Sequence, residues 1–323
     1  MGAMKIRVIK FLLLLLLCLP SPPAMGLDLS DIQDFLIRKI PSRPYFAMTG
    51  SEFAKFVSAM DESMREQAIQ AQIALGNIPD FLKKLKPVYL DPIFEDGKTI
   101  TATIFVMPDY LAIGSDRDFL RMPMNLYTAV EIADRFGFVL PTKKIVDAIF
   151  KQSAFHFIPE PMPPGPKMRS TPYYVKHNRK IKEQGLALHC PLDVLVSGQK
   201  KDVVLTNRLV RNKGKIAIYG WHYLSGTPIQ PLTTVHHAGY ADYSHGIRLV
   251  GSTILLNGEP HSIYEVLESP KLAEILSDEG AIPAARQIMN LPHQEPLRPV
   301  DTSQFSTASM VQQSSNSRRL HQP

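Results

Sequence analysis

The residues whose types and spacing can do chemistry lie between Tyr219 and Arg248. His222, His236, His237 and His245 fall within 24 residues, alongside the single tryptophan, Trp221, and Tyr219, Tyr223, Tyr240 and Tyr243. The segment from His236 to Gly246 runs between strand-like stretches, where binding and catalytic groups are usually displayed. Gly239 and Gly246 let the backbone turn sharply or approach a ligand closely. Three chemistries fit these residue types. His237, Asp242 and His245 supply two imidazoles and a carboxylate, a ligand set suited to zinc. Ser244 is a candidate nucleophile, with His245 or His222 as general base and Asp242 as its orienter. Trp221, Tyr219, Tyr240 and Tyr243 offer rings to stack on a sugar or other planar group. A fourth reading involves no chemistry: these side chains tie down a long loop by hydrogen bonds.

Two motifs in the stretch carry family resemblances. Ser244-His245-Gly246, followed by Ile247 and Arg248, resembles the Ser-His-Gly-Cys-x-Arg signature of L,D-transpeptidases, which cross-link peptidoglycan through a cysteine thioester. Tyr219-Gly220-Trp221-His222 stands where that family has an upstream strand histidine. Ile247 occupies the cysteine position, so the resemblance implies a pocket lined by His222, His245 and Arg248 with a different nucleophile or none. Arg248 would then anchor a substrate carboxylate. The run from Thr234 to Asp242 is similar to the metal-binding segment of zinc D-Ala-D-Ala peptidases, with the aspartate one position early. That offset turns the carboxylate to the opposite face of a strand. Both resemblances point to the peptide part of the bacterial cell wall.

The elements that must hold these residues read as an α+β chain, with a helical or mixed region over 27–158 and a β-rich region over 173–300. Phe53, Phe56, Val57, Met60 and Met64 recur at helical spacing, with Thr49 or Ser51 as cap and Gly76 as stop. Asp96-Gly97 and Asn257-Gly258 are hairpin signals. Leu126 to Gly137 and Pro141 to Phe150 read as amphipathic helices whose faces serve packing. Between Pro159 and Pro172 stand six prolines in fourteen residues, a linker or an extended arm. The sequence also predicts short strands near 194–197, 203–206, 215–219, 247–250 and 253–256. Gln199-Lys200-Lys201-Asp202 precedes a strand and either places a lysine near the histidine loop or, more commonly for a lysine pair, reads as a solvated turn. Asp109, Asp116 and Asp118 lack the full calcium-loop spacing and read as a loop. The Ser- and Gln-rich 301–323 reads as a disordered tail.

Residues 1–26 have the form of a secretory signal peptide. Lys5, Arg7 and Lys10 precede the apolar run Phe11 to Leu19, and Ala24 and Gly26 are the small residues at −3 and −1 of a cleavage site. Nine apolar residues are too few for a helix to span a bilayer, which takes about 20. The expectation is an exported, periplasmic or extracellular protein with no stable transmembrane span. Removing the leader lowers the formal charge from +6 to +3 and leaves Cys190 as the one cysteine, read as buried and inert. Clustered basic residues interleaved with aromatics are missing, so nucleic acid is not an expected partner. The leading functional expectation is a cell-envelope hydrolase with a histidine-centred site. The alternative is a non-catalytic envelope protein that binds glycan or peptide through Trp221 and its neighbouring tyrosines.

Overall fold

Side-chain caps and left-handed turns set most element boundaries. The computed structural model describes residues 29–289; the leader and the 301–323 tail lie outside the described residues. Helix α1 (Leu29–Ile37) is followed by α2 (Gly50–Phe56), capped by Thr49 and Glu52 in a reciprocal capping box. Asp61 caps α3 (Glu62–Ala74), so the single helical run read from the sequence is two helices. Strands β1 (Lys86–Glu95) and β2 (Lys98–Val106) form a hairpin whose turn residues Asp96 and Gly97 have φ of 48° and 77°. Their signs match the turn type that Asp-Gly favours. The short strands β3 (Ala112–Gly114) and β4 (Phe119–Arg121) pair with each other.

Asn125 caps α4 (Leu126–Phe136), and Gly137 ends it with φ 78°. Strand β5 (Phe138–Val139) leads to α5 (Lys143–Gln152), capped by Thr142, and then to β6 (Phe155–His156). Helix α6 (Thr171–Ala187) follows the proline-rich segment inside the region read as β-rich. Its buried face is Tyr174, His177, Asn178 and Ile181, too polar to give an apolar stripe at helical period. The remaining strands are β7 (Val196–Ser197), β8 (Lys201–Val203), β9 (Ile218–His222), β10 (Pro228–Thr233), β11 (His245–Gly246), β12 (Val250–Leu256) and β13 (Glu259–Ser262). The one-turn helix α7 (Arg208–Arg211) lies between β8 and β9, and α8 (Ile263–Glu268) and α9 (Ala285–Met289) close the chain.

The chain is α+β, with two main sheets. The first is antiparallel in the order β1-β2-β12-β13, with β5 also paired to β12. The second runs β10-β9-β8-β11, antiparallel except for the β8–β11 pair. One apolar core extends from Ile32 to Met289 and includes Phe105, Phe136, Phe138 and Ile254. Each such side chain contributes about 1.5–3 kcal/mol by its burial. Regions on both sides of Pro159–Pro172 therefore share one sheet and one core. The proline-rich segment lies against both α6 and the histidine loop. Gln184 bonds both backbone groups of Ile158, and the Met162 N–H donates to the Tyr243 hydroxyl at 2.7 Å. Among the described residues no helix is long and apolar enough to cross a membrane.

Candidate active site

Strand β9 ends in an unusual backbone. Gly220 has φ 106°, and Trp221 has φ 57°, a left-handed conformation costing a bulky residue about 1–2 kcal/mol. His222 follows immediately, only 3% exposed. Its Nε2 lies 3.1 Å from Oδ1 of Asp147 on α5, and its ring stacks on Phe150 with centroids 4.7 Å apart. The same Asp147 oxygen accepts the Tyr219 hydroxyl at 2.7 Å, while Lys143 Nζ is 3.1 Å from Oδ2. Burial pushes the Asp147 carboxyl up, but the hydrogen bonds from His222, Tyr219 and Lys143 outweigh it and lower the pKa. An ionised Asp147 thus holds His222 through Nε2 and leaves Nδ1 to take a proton.

Asp202 faces the same space from β8. A Cβ on Gly220 would lie 3.4 Å from both Asp202 Oδ2 and His222 Cε1, so the glycine gap lets the two side chains approach each other. The Tyr110 hydroxyl donates to Asp202 Oδ2 at 2.9 Å. Tyr110 in turn lies flat on β11, where a Cβ on Gly246 would come within 2.5 Å of its ring. The Arg248 guanidinium covers Tyr110 at 4.5 Å from the centroid and donates to the carbonyls of Met107 and Val196. Burial pushes the Asp202 carboxyl up to about 6, against the pull of Arg248 and of the Tyr110 hydrogen bond. A carboxyl with that pKa can donate a proton near neutrality.

These groups line one small pocket with room for little more than a water-sized group. Tyr110, Asp202, His222 and Arg248 form part of its wall, with Ser197 and Gly198 beside them and Val146, Ile149 and Phe150 of α5 opposite. An aspartate-held imidazole and a carboxyl of raised pKa thus face one volume, an arrangement that can serve as a base and acid pair.

The histidine loop forms a different cluster. Asp242 is buried and accepts the Ser244 N–H at 2.8 Å, the Ser244 hydroxyl at 2.5 Å and the Tyr240 hydroxyl at 2.9 Å. Burial works against its charge, yet neighbouring cations and the two Ser244 bonds bring the carboxyl down to about 2. His245 is fully enclosed 4.0 Å from Asp242, and neither ring nitrogen has a hydrogen-bond partner among the described residues. Burial lowers its pKa to about 4, so it is neutral. The Ser244 hydroxyl donates to Asp242 rather than to an imidazole, so the expected serine–histidine pairing is not formed. His237 lies exposed at the edge of the loop, and His236 stacks on Tyr240 with centroids 4.0 Å apart. Among the described residues no three His, Cys, Asp or Glu side chains are grouped to hold a metal ion. The zinc set His237, Asp242 and His245 is therefore not assembled, and Asp242 is occupied in tying the loop.

The single site expected around His222, His237, Asp242, Ser244 and His245 is thus divided. His222 and Arg248 line the pocket, whereas Asp242, Ser244 and His245 pack beneath Tyr240. Trp221 and Tyr243 are not at a surface, being 3% and 2% exposed, and both rings meet His177 edge-on. Those two rings offer no open face for a sugar. Tyr219 is also buried, and only Tyr240 of the four expected binding aromatics is half-exposed.

Lys200, read from the sequence as part of a solvated turn, is 2% exposed. Its Nζ donates to the Tyr243 carbonyl at 2.7 Å and lies 3.5 Å from His177 Nδ1. Burial lowers this amine to about 7. Asp109 does lie in a loop, between β2 and β3, but it is buried there in an ion pair with Arg121. Cys190 is half-buried rather than fully buried, and burial raises its thiol to about 11, so it carries little thiolate at neutral pH.

Sequence reasoning missed Asp147, Asp202, Tyr110 and Ser197. Asp147 had a usable signal, as a carboxylate one turn after Lys143 in an otherwise apolar helix face. The others meet the pocket only through contacts between distant segments; the Tyr110–Asp202 bond spans 92 positions. No protein-family model, curated protein or solved structure matches this chain.

Proposed function

We propose that this protein is an exported hydrolase of the cell envelope, acting on peptide- or glycan-linked material at the His222 pocket. The observation that carries the reading is the meeting, in one pocket, of an imidazole held by Asp147 and the Asp202 carboxyl. In this reading His222 takes a proton from the attacking group through Nδ1, and Asp147 stabilises the resulting imidazolium. Asp202 returns a proton to the leaving group, and the Arg248 charge favours a substrate with a nearby carboxylate or developing negative charge. Binding through Trp221 is the weaker reading, because that ring is enclosed by His177 and Tyr243.

The test is hydrolysis by the chain beginning at Leu27, assayed on peptidoglycan fragments and on a set of ester, amide and glycoside substrates. His222→Gln is expected to lower turnover by at least about 100-fold, the scale of a general-base contribution. Its melting temperature should stay close to that of the parent. Absence of turnover on every bond type, or full turnover by His222→Gln, overturns the reading. Mass analysis of protein recovered from the culture medium or periplasm tests the export part, with cleavage expected after Gly26.

A further inference from the structure

Ser197 ends strand β7 beside His222, and three observations single it out. Its hydroxyl is buried without a hydrogen-bond partner among the described residues, although it lines the same pocket as His222 and Asp202. A buried hydroxyl left unpaired is destabilising, and such a group is expected to have a reason for being there. The chain then turns sharply at Gly198, whose φ is 92° and where a Cβ would strike the Phe157 carbonyl oxygen and lie 3.4 Å from the His222 carbonyl oxygen. The turn therefore packs directly against the backbone of the base. Finally, the backbone N–H groups of Gly198, Gln199 and Lys200 make no hydrogen bond among the described residues. Free N–H groups directly after a serine are the donor set that an oxyanion requires.

We propose that Ser197 is the nucleophile of this pocket and that it carries a short acyl group, of acetyl or similar size, taken from an ester or amide. The proposal rests on the hydrolase reading and adds a covalent intermediate to it. The Ser197 Oγ–H bond breaks as Oγ bonds to the acyl carbon, and the proton passes to His222 Nδ1. The carbonyl oxygen becomes an oxyanion held by the N–H groups of the 198–200 turn. The bond to the leaving group then breaks, and its electron pair takes up a proton either straight from His222 or from Asp202, which His222 then reprotonates, so the imidazole is neutral again. Water, deprotonated by His222, attacks the acyl-serine and releases the carboxylic acid and Ser197. The size limit follows from the pocket, whose enclosed space takes little more than a water-sized group, so a long acyl chain cannot enter. The leaving group must lie outside it.

The experiment treats the mature chain with a fluorophosphonate, maps the label by peptide mass analysis, and compares p-nitrophenyl acetate with the octanoate ester. The expected result is a single label on Ser197 that is absent from Ser197→Ala and from chain unfolded in urea. Acetate should turn over at least ten times faster than octanoate. Ser197→Ala should lose at least 100-fold in acetate turnover at an unchanged melting temperature. Ser197→Cys, which keeps a nucleophile, should retain measurable turnover; it provides the comparison if the alanine variant folds poorly. Label at another residue, or full turnover by Ser197→Ala while His222→Gln is inactive, overturns the proposal and leaves a hydrolase that activates water directly. An unlabelled parent inert on esters and amides overturns the Ser197 proposal, the same parent inert on glycosides as well overturns both readings, and preference for octanoate overturns the size assignment.

Discussion

At the scale of single residues, Lys200 shows how far a side chain's surroundings can take it from its usual chemistry. An ammonium enclosed by Tyr243, His177 and the backbone loses most of its hydration, and its pKa falls to about 7. The sign of the effect on stability follows from proton counting. In the unfolded chain this lysine holds its proton up to about pH 10.5, whereas in the fold it gives it up near 7. The burial penalty is therefore fully present below pH 7 and is relieved as the pH rises toward 10.5. Lys200→Met removes that penalty and loses one hydrogen bond, worth about 1 kcal/mol. Melting curves should show the variant gaining several degrees over the parent at pH 6 and little or nothing near pH 10. A difference that does not change with pH would mean that Lys200 does not titrate in this range.

At the scale of elements, the second sheet works because two glycines leave room for other chains' side groups. Gly220 on β9 lets Asp202 and His222 meet, and Gly246 on β11 gives Tyr110 a flat seat. Gly246→Ala would push a methyl group into the Tyr110 ring and shift that ring away from Asp202. Overpacking of this kind costs about 1–3 kcal/mol. The urea midpoint should fall accordingly, and a midpoint equal to the parent's would show that β11 can yield without disturbing Tyr110. The local features of these elements were legible in the sequence. Asp96-Gly97, Asn257-Gly258, the helix ended by Gly137 and the helix start at Pro141-Thr142 all mark boundaries that the structure keeps, because turn and cap chemistry depends on near neighbours. Helix α6 was illegible because its buried face bonds to other segments through polar groups, as when Asn178 accepts from the Arg121 backbone 57 positions away. The pocket was half legible. His222 and Arg248 stand out by type, whereas Ser197 and Asp202 gain their meaning only from strands and loops that meet them in space.

At the scale of the whole molecule, buried histidines and buried carboxyls set the response to acid between them. Burial lowers His177 to about 2 and His245 to about 4, so both are neutral in the fold, while in the unfolded chain they bind protons near 6.5. These two imidazoles therefore lower stability as the pH drops from 6.5 toward 4, while the buried carboxyls of Glu66, pushed up to about 7, and Asp202, at about 6, take up protons in the fold over the same range and oppose the loss. Comparing urea midpoints of the parent and His245→Phe at pH 7, 5.5 and 4.5 isolates the imidazole: the variant should gain on the parent as the pH falls, and a constant difference would show that His245 is hydrated. The pairing of β2 with β12 has a consequence for timing. Thr103 lies opposite Leu255, a contact 152 positions apart, and closing so long a loop is slow. A chain emerging N-terminus first can form the β1–β2 hairpin early, but it must wait for β12 before that sheet has a centre. Tyr110, Asp147 and Arg248 remain unassembled for the same interval. The protein thus makes its own delay: the pocket exists only once the chain is free through Arg248, so a nascent chain carries no finished pocket.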